Sequence, residues 1–153
     1  MLEITIPGGN ELRLEHLLLD VNGTLTDRGQ LIDGVATRLE RLSESLELHL
    51  LTADTFGTAE AIASELGGRF QRVRTGDEKQ ALMAQLGSGS CVAIGNGAND
   101  AAMLRDAALG IAVVGPEGLA ASAAGAAHVL TLSINAALDL LLDPVALTAT
   151  LRP

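Results

Sequence analysis

Leu17-Leu18-Leu19-Asp20-Val21-Asn22-Gly23-Thr24-Leu25-Thr26 is the stretch that decides the fold. The three leucines form a short apolar run closed by turn-forming residues, the pattern of a strand buried on both faces. Asp20 stands where that strand ends and a glycine-containing loop begins. In open α/β sheets ligands bind at the carboxyl ends of the strands. The stretch therefore reads either as a turn capped by Asp20 or as a carboxylate delivered to a site, and by itself it leaves both open.

Towards the amino terminus, Leu2, Ile4 and Ile6 alternate with other residues, Pro7-Gly8-Gly9-Asn10 turns the chain, and Leu12 and Leu14 resume the alternation. That is a β-hairpin signal, and its second arm is expected to run on into the Leu17 strand. His16, at the junction, is read as structural. Beyond Thr26, residues 27–32 read as a small flap, and Asp33 as the N-cap of a helix carrying Val35, Leu39, Leu42 and Leu46. A strand over 46–51 holds His49 as a core or edge side chain and ends in Thr52-Ala53-Asp54-Thr55. A helix over 58–66, a strand over 70–73 and a helix over 77–86 follow. Next comes an apolar strand over 91–94 leading into Gly95-Asn96-Gly97-Ala98-Asn99-Asp100 and a helix. A strand over 109–114, a short helix opened by Pro116, a short strand at Val129-Leu130 and a helix capped by Ser133 complete the order. Strands alternating with helices predict a parallel sheet with right-handed crossovers, as a single three-layer domain over residues 1–153.

Composition narrows the function classes. The chain is 48% hydrophobic and 19% charged, so it can build a packed core. A net charge of -9 disfavours nucleic acid and anionic membrane surfaces as partners, and the near absence of aromatic residues disfavours base stacking. Cys91 is the single cysteine and lies in an apolar run, which reads as a buried thiol in a reducing compartment. The amino terminus carries no signal-peptide pattern. Residues 118–138 hold too many polar groups for a membrane span, which needs roughly 20 predominantly apolar residues. A cytoplasmic location is expected.

Three further strand ends converge on the edge where Asp20 emerges. They bring Thr52 and Asp54, Lys79 on the next helix, and Asn96, Asn99 and Asp100. Each has a plain explanation by itself: a cap, a surface lysine, a turn. A dinucleotide loop at Gly95 fails because Asp100 stands where the third glycine belongs and would repel a pyrophosphate.

Taken together, these motifs resemble the haloacid dehalogenase superfamily, whose members include phosphatases and the phosphorylation domain of P-type ATPases. Asp20-Val21-Asn22-Gly23-Thr24-Leu25-Thr26 is similar to its nucleophile loop. Thr52-Ala53-Asp54 with Thr58-Ala59 resembles the ATPase Thr-Gly-Asp segment. Gly95 to Ala101 followed by Leu109-Gly110-Ile111-Ala112 is similar to the Gly-Asp-Gly-x-Asn-Asp hinge. The resemblance spans Leu17 to about Leu142 and implies a Rossmann-like α/β fold with a central, mainly parallel sheet. About thirty residues between Asp20 and Thr52 fit one crossover unit, so neither an ATP-binding insert nor a cap domain is expected. With the site open, a large substrate or a neighbouring subunit is expected to cover it, and the hairpin and flap are candidate pieces of a homo-oligomer interface.

The resemblance also implies roles. Asp20 would attack a phosphorylated substrate and form an aspartyl-phosphate, Thr52 would bind phosphoryl oxygens with help from the Gly23 and Thr24 amides, and Lys79 would neutralise charge. Asp54 and Asn99 belong to the same binding set. Mg2+ would be held by Asp20, the Asn22 carbonyl, Asn96 and Asp100. Two positions depart from the pattern. Asn22 replaces the carboxylate that protonates the leaving group, a function typically worth roughly 10²–10⁴-fold, and Asn96 replaces a metal-binding aspartate. A slow Mg2+-dependent phosphatase is therefore expected, with a non-catalytic binding or regulatory module as the alternative.

Overall fold

A computed structural model describes residues 1–53 and 58–153. In chain order, β1 (Leu2–Thr5) and β2 (Glu11–Leu14) form an antiparallel hairpin that pairs Leu2 with Leu14. β3 (His16–Asp20) follows, then the two-stranded flap of β4 (Thr26–Asp27) and β5 (Gln30–Leu31) and helix α1 (Val35–Ser43). β6 (Glu47–Thr52), α2 (Thr58–Leu66), β7 (Arg69–Arg72), α3 (Gly76–Leu86) and β8 (Cys91–Gly95) come next. The chain continues through α4 (Ala101–Asp106), β9 (Leu109–Val113), α5 (Ala121–Ala126), β10 (Val129–Thr131), α6 (Ile134–Leu142) and α7 (Pro144–Leu151).

Six strands form one sheet in the order β10-β9-β8-β3-β6-β7, every pairing parallel. β3 is central because it is apolar on both faces. Leu17 and Leu19 pack on the side of α1 and α6, while Leu18 packs on the side of α3 and α4. All three leucines are fully buried, and truncating one to alanine is expected to cost about 2–5 kcal/mol. Strand alternation then sends Asp20 to the same face as Leu18, towards α3. Among the described residues no single helix is long and apolar enough to cross a membrane; α6 and α7 meet at a bend of 100°.

The expected α/β fold and element order are present, with three local differences. The hairpin does not run on into the central strand: Glu15 separates β2 from β3, and its backbone reaches Ser90 and Glu47 instead. Asp33 does not cap α1. Gly34 occupies the cap with φ +86°, a conformation that favours glycine, and the Asp33 carbonyl accepts from Asn135. Pro116 opens no helix. It sits in a tight turn closed by reciprocal backbone hydrogen bonds between Gly115 and Gly118, and α5 begins only at Ala121. Ser133 caps α6 as expected, its hydroxyl accepting from the Ala136 amide. Burial pushes the Cys91 thiol up to about 11, in keeping with a structural residue.

Candidate active site

Asp20 ends β3 at the floor of a cavity of about 560 Å³. Its Oδ1 accepts from Lys79 Nζ at 2.8 Å and its Oδ2 from the Thr24 hydroxyl at 2.8 Å. Thr24 returns to Asp20 because the loop folds over the Val21 carbonyl, which accepts the amides of Thr24, Leu25 and Thr26. The Thr24 amide is thus engaged in the turn, and it is the hydroxyl that meets the site. Gly23 takes φ +76° in this turn.

Lys79 lies one turn into α3, whose first turn is fixed by the Thr75 hydroxyl accepting from the Glu78 amide. It is a buried lysine, 2% exposed, held between Asp20 and Asp100, whose Oδ1 is 2.6 Å away. Asp100 is fully buried; its Oδ2 accepts the Asn96 and Gly97 amides at 3.1 and 2.9 Å. Gly95 is required for that arrangement, since a Cβ there would lie 2.5 Å from the Asp100 carboxyl carbon.

Two carboxylates and one ammonium leave the cluster with an excess of negative charge. Burial first, and then the Asp100 charge, raise the Asp20 carboxyl to about 6, against the opposing pull of Lys79 and the Thr24 hydroxyl. Burial works against the Lys79 charge, but Asp20 and Asp100 outweigh it and hold the ammonium above its ordinary value. A surface position, the plain reading of a lone lysine, is therefore replaced by one in the core of the site.

Both departures from the expected motif carry hydrogen bonds that a carboxylate could not make. Asn22 Nδ2 donates to Thr52 Oγ1 at 3.1 Å. Asn96 Nδ2 donates to the Gly118 carbonyl at 3.1 Å, while its Oδ1 lies 3.1 Å from the Thr24 hydroxyl. Thr52 and Asn99 line the cavity with them. Asp54 lies outside the described residues, so its expected role has no geometry here. The structure thus brings Asp20, Asn22, Thr24, Thr52, Lys79, Asn96, Asn99 and Asp100 to one sheet edge.

Glu117 is the residue that sequence reasoning missed. It is exposed, lines the same cavity, and lies against Gly23 on the side where a Cβ would project. An acid between Gly115-Pro116 and Gly118, just past the carboxyl end of β9, was the signal available. The expected helix at Pro116 concealed it. Lys79 is the one basic residue among the described residues lining the cavity.

The model of a family described as haloacid dehalogenase-like hydrolase matches residues 6–108. An uncharacterized protein of Methanocaldococcus jannaschii is 46% identical over 61 residues, covering 40% of this chain; the match spans 66% of that relative's own length, just under two thirds. Among solved structures, the 3-deoxy-D-manno-octulosonate 8-phosphate phosphatase of Moraxella catarrhalis, in complex with magnesium, phosphate and its KDO molecule, superposes with a TM-score of 0.68 at 23% identity. It covers 91% of this chain and 94% of that one. A zinc-transporting PIB-type ATPase in an E2.Pi state gives a TM-score of 0.65 at 28% identity, over 78% of this chain and 20% of that much longer one. Between β3 and β6 this chain holds only the flap and α1, consistent with a relative that lacks a cap.

Proposed function

The chain belongs to the haloacid dehalogenase-like hydrolases, and on that footing we propose that it is a phosphatase acting through an aspartyl-phosphate on Asp20. The observation that carries the reading is the placement of Asp20: a carboxylate at the carboxyl end of the central strand, at the floor of a cavity, with a buried Lys79 2.8 Å away and Thr52 at the end of the neighbouring strand β6. Fold alone does not fix activity; this constellation supports it.

The donor set suits a hard divalent cation such as Mg2+. Asp20 and Asp100 offer carboxylates in a cluster with one negative charge in excess, and Asn96 Oδ1 and the Asn22 carbonyl offer neutral oxygens. Both Asp100 oxygens are engaged by Lys79 and two amides, so Asp100 would reach the ion through water, as Mg2+ sites commonly allow. When bound, the ion would supply charge neutralisation for the phosphoryl group.

In this reading an Asp20 oxygen attacks phosphorus and the bond to the leaving oxygen breaks, giving the acyl phosphate and an alcohol. Lys79 offsets charge shared between Asp20 and the phosphoryl oxygens. Thr52, which lines the cavity, would bind those oxygens, with the Gly23 amide as a further donor. Asn22 has no titratable group, and Glu117, beside Gly23, is the carboxyl positioned to protonate the alcohol and then take a proton from the attacking water. That water releases inorganic phosphate and restores Asp20. The likeness to an octulosonate 8-phosphate phosphatase supports a phosphomonoester as the substrate class and names no compound.

Turnover of acetyl phosphate and p-nitrophenyl phosphate with Mg2+, set against Asp20→Asn, tests the reading. Loss of turnover and of the phosphoenzyme in the variant is expected. Equal behaviour of the two proteins would support the second reading, a phosphate- or cation-binding module without turnover, which the two asparagine substitutions favour.

A further inference from the structure

We propose that the opposite end of the sheet carries a second cation site, formed by His16, Glu47 and His49 and suited to Zn2+ or another divalent ion with affinity for imidazole. His16 opens β3 and Glu47 opens β6. The parallel register places His16 opposite Glu47 and Leu18 opposite His49, so strand alternation brings all three side chains to one face of the sheet. None of them lines the cavity around Asp20. His16 and Asp20 are four positions apart along β3, a distance of about 13 Å.

Two of the ligand-atom distances have the spacing of a tetrahedral edge. His16 Nδ1 lies 3.2 Å from His49 Nε2 and 3.3 Å from Glu47 Oε2, and the three atoms lie within 4.8 Å of one another. A tetrahedral Zn2+ about 2.0–2.1 Å from its ligands sets those ligands about 3.3 Å apart. The rings of His16 and His49 meet edge to face, 61° apart, so their nitrogens converge instead of stacking.

Protons satisfy this cluster poorly. If His49 Nε2 carries the hydrogen and donates to His16, the Glu47 carboxylate faces a nitrogen lone pair at 3.3 Å. If His16 Nδ1 carries it, Glu47 and the His49 nitrogen compete for one proton. His49 is fully buried, and among the described residues its Nδ1, which carries the proton when Nε2 ligates a metal, has no hydrogen-bond partner, so a water would have to accept that proton in the loaded site. A cation would accept both nitrogen lone pairs and the carboxylate together.

Arg69 defines the selectivity. Its Nε pairs with Glu47 Oε1, which turns Oε2 towards His16 and offsets the Glu47 charge. Attraction must then come largely from the imidazoles, which favours Zn2+ over Mg2+. Glu47 and His16 are partly exposed, with side-chain exposures of 36% and 15%, so solvent can supply a fourth ligand.

Co2+ titration of the metal-stripped full chain in excess Mg2+ tests the site. One equivalent giving the intense visible absorption of tetrahedral Co2+, displaced by Zn2+, is expected. His16→Gln should abolish that absorption, and Glu47→Gln, at the exposed edge, should weaken binding at least tenfold with an unchanged circular dichroism spectrum. Zn2+ should raise the Tm of the wild type and not of His16→Gln. No tetrahedral absorption in the wild type, or the same absorption in both variants, overturns the proposal. Phosphatase turnover does not enter these readouts, so failure here leaves the reading of Asp20 untouched.

Discussion

Asn22 donates its side-chain amide to the Thr52 hydroxyl over 3.1 Å, tying the loop after β3 to the end of β6 across the mouth of the cavity. The residue that removes the expected acid is thus also a strut. Asn22→Asp converts the donor into an acceptor, so the Thr52 hydroxyl must turn to donate. If proton transfer to the leaving group limits turnover, the variant should hydrolyse an alkyl phosphate faster, by up to the roughly 10²–10⁴-fold that acid-base catalysis supplies. Steady-state kcat with Mg2+ decides it; an unchanged kcat would place the limit elsewhere.

Glu117 should carry the proton transfer that Asn22 cannot. Glu117→Gln is expected to lower kcat for a poor leaving group such as an alkyl phosphate by at least tenfold. It should affect p-nitrophenyl phosphate less, because p-nitrophenolate needs little protonation. Since Glu117 is exposed, the stability change should stay within about 0.5 kcal/mol. Equal loss on both substrates would sink the assignment.

Asn96→Asp tests whether the second asparagine is a structural necessity. An aspartate would set a carboxylate beside the Gly118 carbonyl, where Asn96 now donates, and close to Asp20 and Asp100. The Gly118 carbonyl keeps the Gly115 amide, so the lost Asn96 hydrogen bond costs about 0.5–1.5 kcal/mol, and urea denaturation in EDTA should show a loss of at least that order. Added Mg2+ should recover part of it, and binding of the ion should tighten.

Lys79→Met would leave Asp20 and Asp100 facing each other without their shared cation. Breaking a buried ion pair by removing one partner costs about 3–5 kcal/mol. The loss should be smaller at pH 5 than at pH 8, because Asp20 can then take up a proton and end the repulsion. Denaturant midpoints at the two values provide the comparison.

The raised Asp20 pKa makes a separate prediction for metal-free protein. A carboxyl whose folded value is about 6 and whose ordinary value is 3.8 binds its proton more tightly in the folded state. Its contribution to stability is therefore complete below the ordinary value and is lost as pH rises through about 6. In EDTA, the Tm of Asp20→Asn should gain on that of the wild type between pH 4 and pH 7. A gap independent of pH would contradict the assignment.

Much of this was legible in the residues. The leucines of β3 are apolar on both faces, so burial at the centre of a parallel sheet followed from period alone, and Asp20 at the strand end followed from the leucines. The Thr52, Lys79 and Asp100 positions were legible because the carboxyl ends of parallel strands share one edge. What misled was local chemistry with more than one solution. Pro116 is compatible with the first turn of a helix and with a tight turn, and the reciprocal Gly115 and Gly118 hydrogen bonds select the turn. Asp33 suits an N-cap, but the positive φ at Gly34 moves the cap by one residue.

The sequence by itself determined the strand order of chemistry: a carboxylate after β3, a hydroxyl after β6, a lysine on α3, and an asparagine and aspartate after β8. Each belongs to a periodic element whose direction the apolar pattern fixes. Only the tertiary structure decided that Lys79 lies buried between two carboxylates, that Asn22 and Asn96 donate where aspartates could not, that Glu117 reaches the cavity, and that His16, Glu47 and His49 converge at the other end. Those relationships depend on distances across the sheet of a few ångströms, set by register and packing between segments far apart in the chain, which no local pattern encodes.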